Sequence, residues 1–313
     1  MSIKCVASAI TKVNDVTSSS RLYCLDTVML DIVVRVDALP TSGHDILATQ
    51  RLLTTGGGYN AMSAAARHMM PVSYAGRLGT GPFSQTALSN FEKDGIDAPL
   101  EPHESLDLGF CIVMLEPSGE RSFITSKGAE DTLRASDLAQ LSPQEGDFVL
   151  LSGYNIMYPG FSEVVLDWIE SLNDEVEVAL DPSNRVYDIP SEYLQRALRR
   201  IDWLLCNEEE AGFLAEGGPL TRVNGVVVRH GETGCTIAYN QQEPVQVDGF
   251  VTDVVDTNGA GDVHNGVFLA ELARGTDVIE AAERANAAAA MAISKLGPAT
   301  GPTRDAVTKW MSR

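Results

Sequence analysis

The stretch Asp256–Leu272, DTNGAGDVHNGVFLAEL, decides how the chain reads. Gly259, Ala260 and Gly261 carry almost no side chain, so a larger molecule can approach their N–H groups closely. Beyond Asp262, apolar residues at Val263, Val267, Phe268 and Leu272 predict a helix buried over much of its surface. The first-turn N–H groups of such a helix lack intrahelical acceptors and carry partial positive charge, which suits an anion. An aspartate in a first turn is favoured by the dipole alone. An aspartate beside an anion site is an odd neighbour unless it has a chemical task.

The bulk numbers narrow what that task can be. A chain of 313 residues is long enough for one large domain with an appended subdomain, or for two domains, and 44% apolar residues suffice for a full core. The formal net charge of −20, from 23 Lys+Arg against 43 Asp+Glu, argues against nucleic acid or an anionic membrane as partner. A polyanionic ligand must then be attracted locally, by helix ends, a few basic groups or a metal. Cysteines at 5, 24, 111, 206 and 235 form no CxxC and read as reduced thiols of a cytoplasmic protein. No segment has the apolar length of a membrane span. The opening MSIKCVASAITKVNDVTSSSR lacks the apolar region of a signal peptide, and residues 1–20 read as an extension or an extra strand.

From Arg21 onward, strand-like and helix-like runs alternate. LYCLDTVMLDIVV reads as a strand ended by Asp31, and GGGYNAMSAAARHMM as a glycine turn entering a helix. FVLL (148–151), VEVALDP (176–182), WLLCN (203–207) and GVVVRHG (225–231) are short apolar runs, with an amphipathic helix from Phe161 to Leu172 between the first two. The alternation implies a mostly parallel sheet with helices on both faces, and active residues just past the strand ends. Residues 33–51 and 101–126 break the pattern, with strand-like FCIVML (110–115) and RSFITS (121–126). They read as a small separate sheet, either a lid or an edge hairpin.

GxxxxGK[ST], a strand-borne GxGxxG and HExxH are all missing, and the five histidines show no ligand pairing. The opening stretch remains. Its amides at Gly259, Ala260 and Gly261 suit charge building on a phosphoryl group, and Asp262 suits removal of the proton from an attacking hydroxyl. In this form DTNGAGDVHNG resembles the C-terminal motif of the ribokinase-like (PfkB) carbohydrate kinases. TGGGYNAMSAAARHM resembles the N-terminal Gly-Gly motif of that family, with Thr55 in place of its first glycine. GRLGTGPFSQTALSNFEKDGID resembles the following segment, with Gly81 and Ser84 where an aspartate and a glycine are expected. Asp26 stands where the family often has glycine.

The resemblance covers residues 21–313 and implies a three-layer α/β/α kinase domain with a mostly parallel central sheet and a small β-sheet lid. It implies that Asp31, Gly57 and Asn60 bind a sugar or nucleoside. It also implies that Asn207 and Glu210 organise Mg²⁺ through water around ATP, and that Gly231, Gly234 and Asn286 border the nucleotide. Asp256 is the position that would share in holding a monovalent cation such as K⁺, and a homodimer follows by analogy. Arg121 and Arg185 are candidate phosphate clamps. The expected activity is ATP-dependent phosphorylation of a hydroxyl on a small sugar. The alternatives are a ribonucleoside acceptor, toward which Tyr59 beside Asn60 would tilt the choice, and a catalytically silent sugar sensor using the same pocket.

Overall fold

The computed structural model describes residues 20–216, 223–240 and 242–312, so the N-terminal extension expected over residues 1–20 lies outside the described residues save for Ser20. The strands at the centre are apolar on both sides. Phe148, Leu150 and Leu205 pack into one core, while Val149, Leu151 and Leu204, alternating with them, pack into a second. Strands of this kind need cover on both faces, which helices flanking a parallel sheet provide.

Nine strands form that sheet. From edge to edge they are Val245–Asp248, Gly234–Tyr239, Gly225–Arg229, Trp203–Asn207, Glu177–Asp181, Phe148–Ser152, Leu22–Cys24, Val72–Tyr74 and Ile96–Asp97. Neighbours run parallel until the last two pairings at one edge, where Gly225–Arg229, Gly234–Tyr239 and Val245–Asp248 turn antiparallel. Helices Tyr59–Arg67, Pro82–Asp94, Ala260–Ala273, Val278–Ile293 and Arg304–Met311 cover one face. Helices Phe161–Ser171, Ser191–Arg200 and Glu208–Glu216 cover the other. Cys24, Cys111, Cys206 and Cys235 are buried free thiols. Among the described residues no helix is long and apolar enough to cross a membrane.

A second sheet stands apart, in the order Gln50–Gly57, Val28–Arg35, Phe110–Leu115, Arg121–Ser126. Its first segment starts at Val28 rather than Val33 and ends at Gly57 rather than Arg51, with no strand between Val36 and Thr49. The apolar run LYCLDTVMLDIVV is therefore two strands in two sheets. It bends at Leu25–Thr27, where the Asp26 carboxylate accepts the Thr27 N–H at 2.8 Å and the Ser152 hydroxyl at 2.5 Å. Local capture of a backbone donor by an aspartate is a known way to end a strand. Asp31, expected at a strand end, sits mid-strand opposite Thr54 and Cys111.

Two glycines are explained by close approach. A Cβ on Gly81 would lie 2.3 Å from the Asp107 carboxyl carbon. That carboxylate accepts the N–H groups of Phe83 and Ser84 at 2.9 and 2.8 Å, capping helix Pro82–Asp94 from a distant segment. A Cβ on Gly266 would lie 2.1 Å from the Ala61 carbonyl oxygen, so helices Tyr59–Arg67 and Ala260–Ala273 meet almost backbone to backbone. Gly266→Ala should therefore lower stability by about 1–3 kcal/mol through overpacking. Denaturant unfolding reads this directly, and an unchanged midpoint would show that the contact is loose.

Candidate active site

The helix contact at Gly266 carries Asn60, near the start of one helix, against Asp262, in the first turn of the other. The Asn60 side-chain amide donates to Asp262 Oδ2 at 2.9 Å, and the buried Asn60 Oδ1 has no partner among the described residues. Gly259 is the helix N-cap, with φ +76°, a left-handed conformation that glycine adopts without strain. Its Cβ position would lie 3.2 Å from the Asn60 amide, so the loop presses on that side chain as well. The Ala260 N–H reaches back to the Thr257 carbonyl at 3.3 Å. The N–H groups of Gly259 and Gly261 find no acceptor among the described residues and stay available to an anion.

Asn60 and Asp262 line a cavity of about 420 Å³ between the two sheets, together with Asp26, Asp31, Gly57, Asp181, Asn258 and Asn265. Asp31 is nearly buried and, among the described residues, has no hydrogen-bond partner. Gly56 makes the room for it, since a Cβ there would lie 2.1 Å from Asp31 Oδ2. Gly57, at φ +62°, turns the chain over the Thr27 carbonyl into the helix. The field at this floor is strongly acidic. Burial, then the charge of Asp181, pushes Asp262 up to about 6, against the lowering effect of Asn60 and Arg229. Burial and then Asp262 push Asp31 up to about 6 and Asp26 up to about 7.

Arg229 is the counter-charge. From the end of its strand it bonds Asn265 Oδ1 at 2.5 Å and Asp181 Oδ2 at 3.1 Å, while Asn265 donates to the same Asp181 oxygen at 2.6 Å. Glu210 lies 4.0 Å from the same guanidinium. One arginine thus faces Asp181, Glu210 and Asp262, which leaves excess negative charge. Sequence reading missed Asp181, Arg229 and Asn265. The signal it had was position, because Asp181 and Arg229 each close a parallel strand.

Asn207, Glu210, Gly231, Gly234 and Asn286 lie outside the cavity lining. Asn207 and Glu210 bind each other: the Asn207 backbone N–H and side-chain amide donate to Glu210 at 2.9 and 2.8 Å, and the Glu210 N–H returns a bond at 2.9 Å. Gly231 opens a short turn with empty space around it, whereas Gly234, at φ +96°, packs against the Val247 carbonyl. Asn286 donates to the Val247 and Asp248 carbonyls at 3.2 and 3.1 Å, tying the edge strand to its helix.

Asp256 is already satisfied. Arg121, on the second sheet, makes a short ion pair with it, and the N–H groups of Asn258 and Gly297 each donate to it at 3.0 Å. The carboxylate expected to share a monovalent cation is neutralised by a guanidinium, so these residues do not fit a cation at that oxygen pair. Among the described residues no group of three or more His, Cys, Asp and Glu is arranged to hold a metal directly.

Tyr59 turns away from the cavity, stacking on Phe91 and donating its hydroxyl to Asp94 at 2.7 Å, so it cannot select an acceptor. Other aromatic side chains, Phe123, Tyr154, Tyr158 and Phe161, line the cavity, brought there from separate elements. Arg185 lines it too.

Known proteins share this architecture. A ribokinase from Thermotoga maritima superposes with TM-score 0.80 at 24% identity, covering 95% of this chain and 100% of its own. Among curated proteins, an uncharacterized sugar kinase of Escherichia coli K12 is 29% identical over 93% of this chain and 94% of its own length. An ATP-dependent ribose-1-phosphate kinase of Halopiger xanaduensis is 27% identical over 93% of this chain and 98% of its own. Residues 19–305 match the family described as pfkB family carbohydrate kinase. With that match running over nearly its whole length, the chain belongs to the pfkB family of carbohydrate kinases.

Proposed function

We propose that the protein transfers the γ-phosphoryl group of ATP to a hydroxyl of a small sugar, with Asp262 as general base. The observation that carries this reading is the pairing of a half-buried, proton-competent carboxylate at a cavity floor with unbonded main-chain amides in the same helix start. Asp31 accepts hydrogen bonds from the sugar hydroxyls, and the orphaned Asn60 Oδ1 accepts another. Asp262 takes the proton of the attacking hydroxyl as its oxygen bonds to phosphorus and ADP leaves. The Gly259 and Gly261 amides stabilise the charge that develops on the transferred group.

The excess of carboxylates around Arg229 fits a divalent ion that arrives with the nucleotide. Glu210 and Asp181 would hold Mg²⁺ through water, where it would offset the negative charge of the phosphates. The second sheet closes over the sugar and keeps out water that competes as acceptor. A ribonucleoside acceptor is the second reading, favoured by the rings of Phe123, Tyr154 and Tyr158 in the cavity.

ADP release measured over a panel of sugars and nucleosides tests the activity. Ligand-induced thermal stabilisation without turnover on any acceptor would instead favour a sensor. Asp262→Asn should keep acceptor binding, followed by calorimetry, and lose turnover by about 10²–10⁴-fold. Because the base must be ionised, turnover should fall on acidification through pH about 6, where the Asp262 proton binds. Arg229 lowers that pKa, so Arg229→Met should move the acid limb to higher pH. A limb that stays in place would separate Arg229 from the base.

A further inference from the structure

The cavity that receives the acceptor is lined by carboxylates at its floor, and among the described residues the cations in its lining are Lys127, beside Glu130 and Asp131, and Arg185. The two come from different sheets. Lys127 follows strand Arg121–Ser126 of the smaller sheet, and Arg185 follows strand Glu177–Asp181 of the larger. They nevertheless meet at one wall. The Lys127 ammonium sits 3.5 Å above the Tyr158 ring, and the Tyr154 hydroxyl donates to Asn184 at 3.1 Å, next to Arg185 in the chain. Asp188 first, and then the Tyr158 and Tyr154 phenols, hold Arg185 in its charged form.

The turn that delivers Arg185 is unusual. Ser183 has φ +60°, a left-handed conformation that costs a serine free energy and recurs at functional sites. It is held there by a 2.9 Å bond from its N–H to Asp181, and a Cβ on the facing Gly153 would lie 2.0 Å from the Pro182 carbonyl. Asp181 thus serves the base at one end and sets this turn at the other. Each cation has spare donors. Lys127 bonds Asp131 at 2.7 Å through one of three N–H groups, and Arg185 meets Asp188 through Nε, leaving both terminal nitrogens unbonded among the described residues.

We propose that the acceptor bears an anionic substituent, a carboxylate or a phosphate monoester, seated between Lys127 and Arg185 away from the reacting hydroxyl. This rests on the kinase reading above and names its substrate class. The cavity then offers acceptors at its floor and spare donors at this wall. The floor offers carboxylates as acceptors to hydroxyl donors, whereas at the wall Lys127 and Arg185 are each ion-paired and still hold free donors for an anion, so a hydroxyl–anion substrate enters in one orientation only. A neutral sugar makes no use of the wall, and Arg185 offers its two free nitrogens as a fork suited to a carboxylate or phosphate.

The test compares matched acceptors: an aldose, the aldonate with the same hydroxyls, the aldose phosphate monoester, and a ribonucleoside. The expected result is a kcat/KM for one anionic member about tenfold or more above its neutral partner, with KM rising as salt is added. The preferred anion tells carboxylate from phosphate. Lys127→Met with Arg185→Met should cut kcat/KM for that anion at least about tenfold more than for the neutral aldose, and Arg185→Lys should restore part of the difference. Preference for the neutral aldose or the nucleoside, or equal losses on all acceptors, overturns the proposal. If no acceptor yields ADP, the kinase reading fails instead. Calorimetry then decides the wall alone: tighter binding of an anionic member than of the aldose upholds it, and equal or weaker binding overturns it.

Discussion

The close contact between helices Tyr59–Arg67 and Ala260–Ala273 is the constraint on which the site depends. Only a residue without a side chain fits at Gly266, because the Ala61 carbonyl already occupies the Cβ position. At that separation Asn60 reaches Asp262 at 2.9 Å, and the left-handed Gly259 can press against Asn60 without collision. Two motifs about 200 positions apart, Asn60 and Asp262 being separated by 202, become one piece of apparatus through a shape match between backbones.

Charge sets the second constraint. A chain with formal charge −20 concentrates Asp26, Asp31, Asp181 and Asp262 around one cavity. Bringing carboxylates out of water raises the cost of ionising each, and each raises its neighbours further. Arg229 prevents this from becoming prohibitive, with Asn265 fixing its orientation toward Asp181. The result is an aspartate poised to accept a proton near neutrality, a state that an exposed aspartate in a helix first turn would not reach. Arg121 performs a related service at Asp256, joining the smaller sheet to the loop that leads into the amide cradle.

Much of this was legible in the sequence. The short apolar strands, the helix after Asp262 and the run of small residues at Gly259–Gly261 are local signals. They appear as strands Phe148–Ser152, Glu177–Asp181, Trp203–Asn207 and Gly225–Arg229 and as helix Ala260–Ala273. The bend at Asp26 was not legible, because an apolar run carries no mark of which sheet each half joins. That bend follows from hydrogen bonds to Thr27 and Ser152, the latter 126 positions away. Tyr59 was misread for a similar reason. Its neighbour Asn60 faces the site, but successive helical residues point about 100° apart, and Tyr59 turns to Phe91 and Asp94.

The sequence by itself determined the class of fold, the pairing of a carboxylate with a glycine-rich helix start, and the family to which both belong. These depend on residue order over a few turns, where periodicity and backbone freedom act. Tertiary structure alone decided which charges meet at the site. Arg229, Asp181, Lys127 and Arg185 lie on separate strands and loops, and their influence on one another falls with distance through space rather than along the chain.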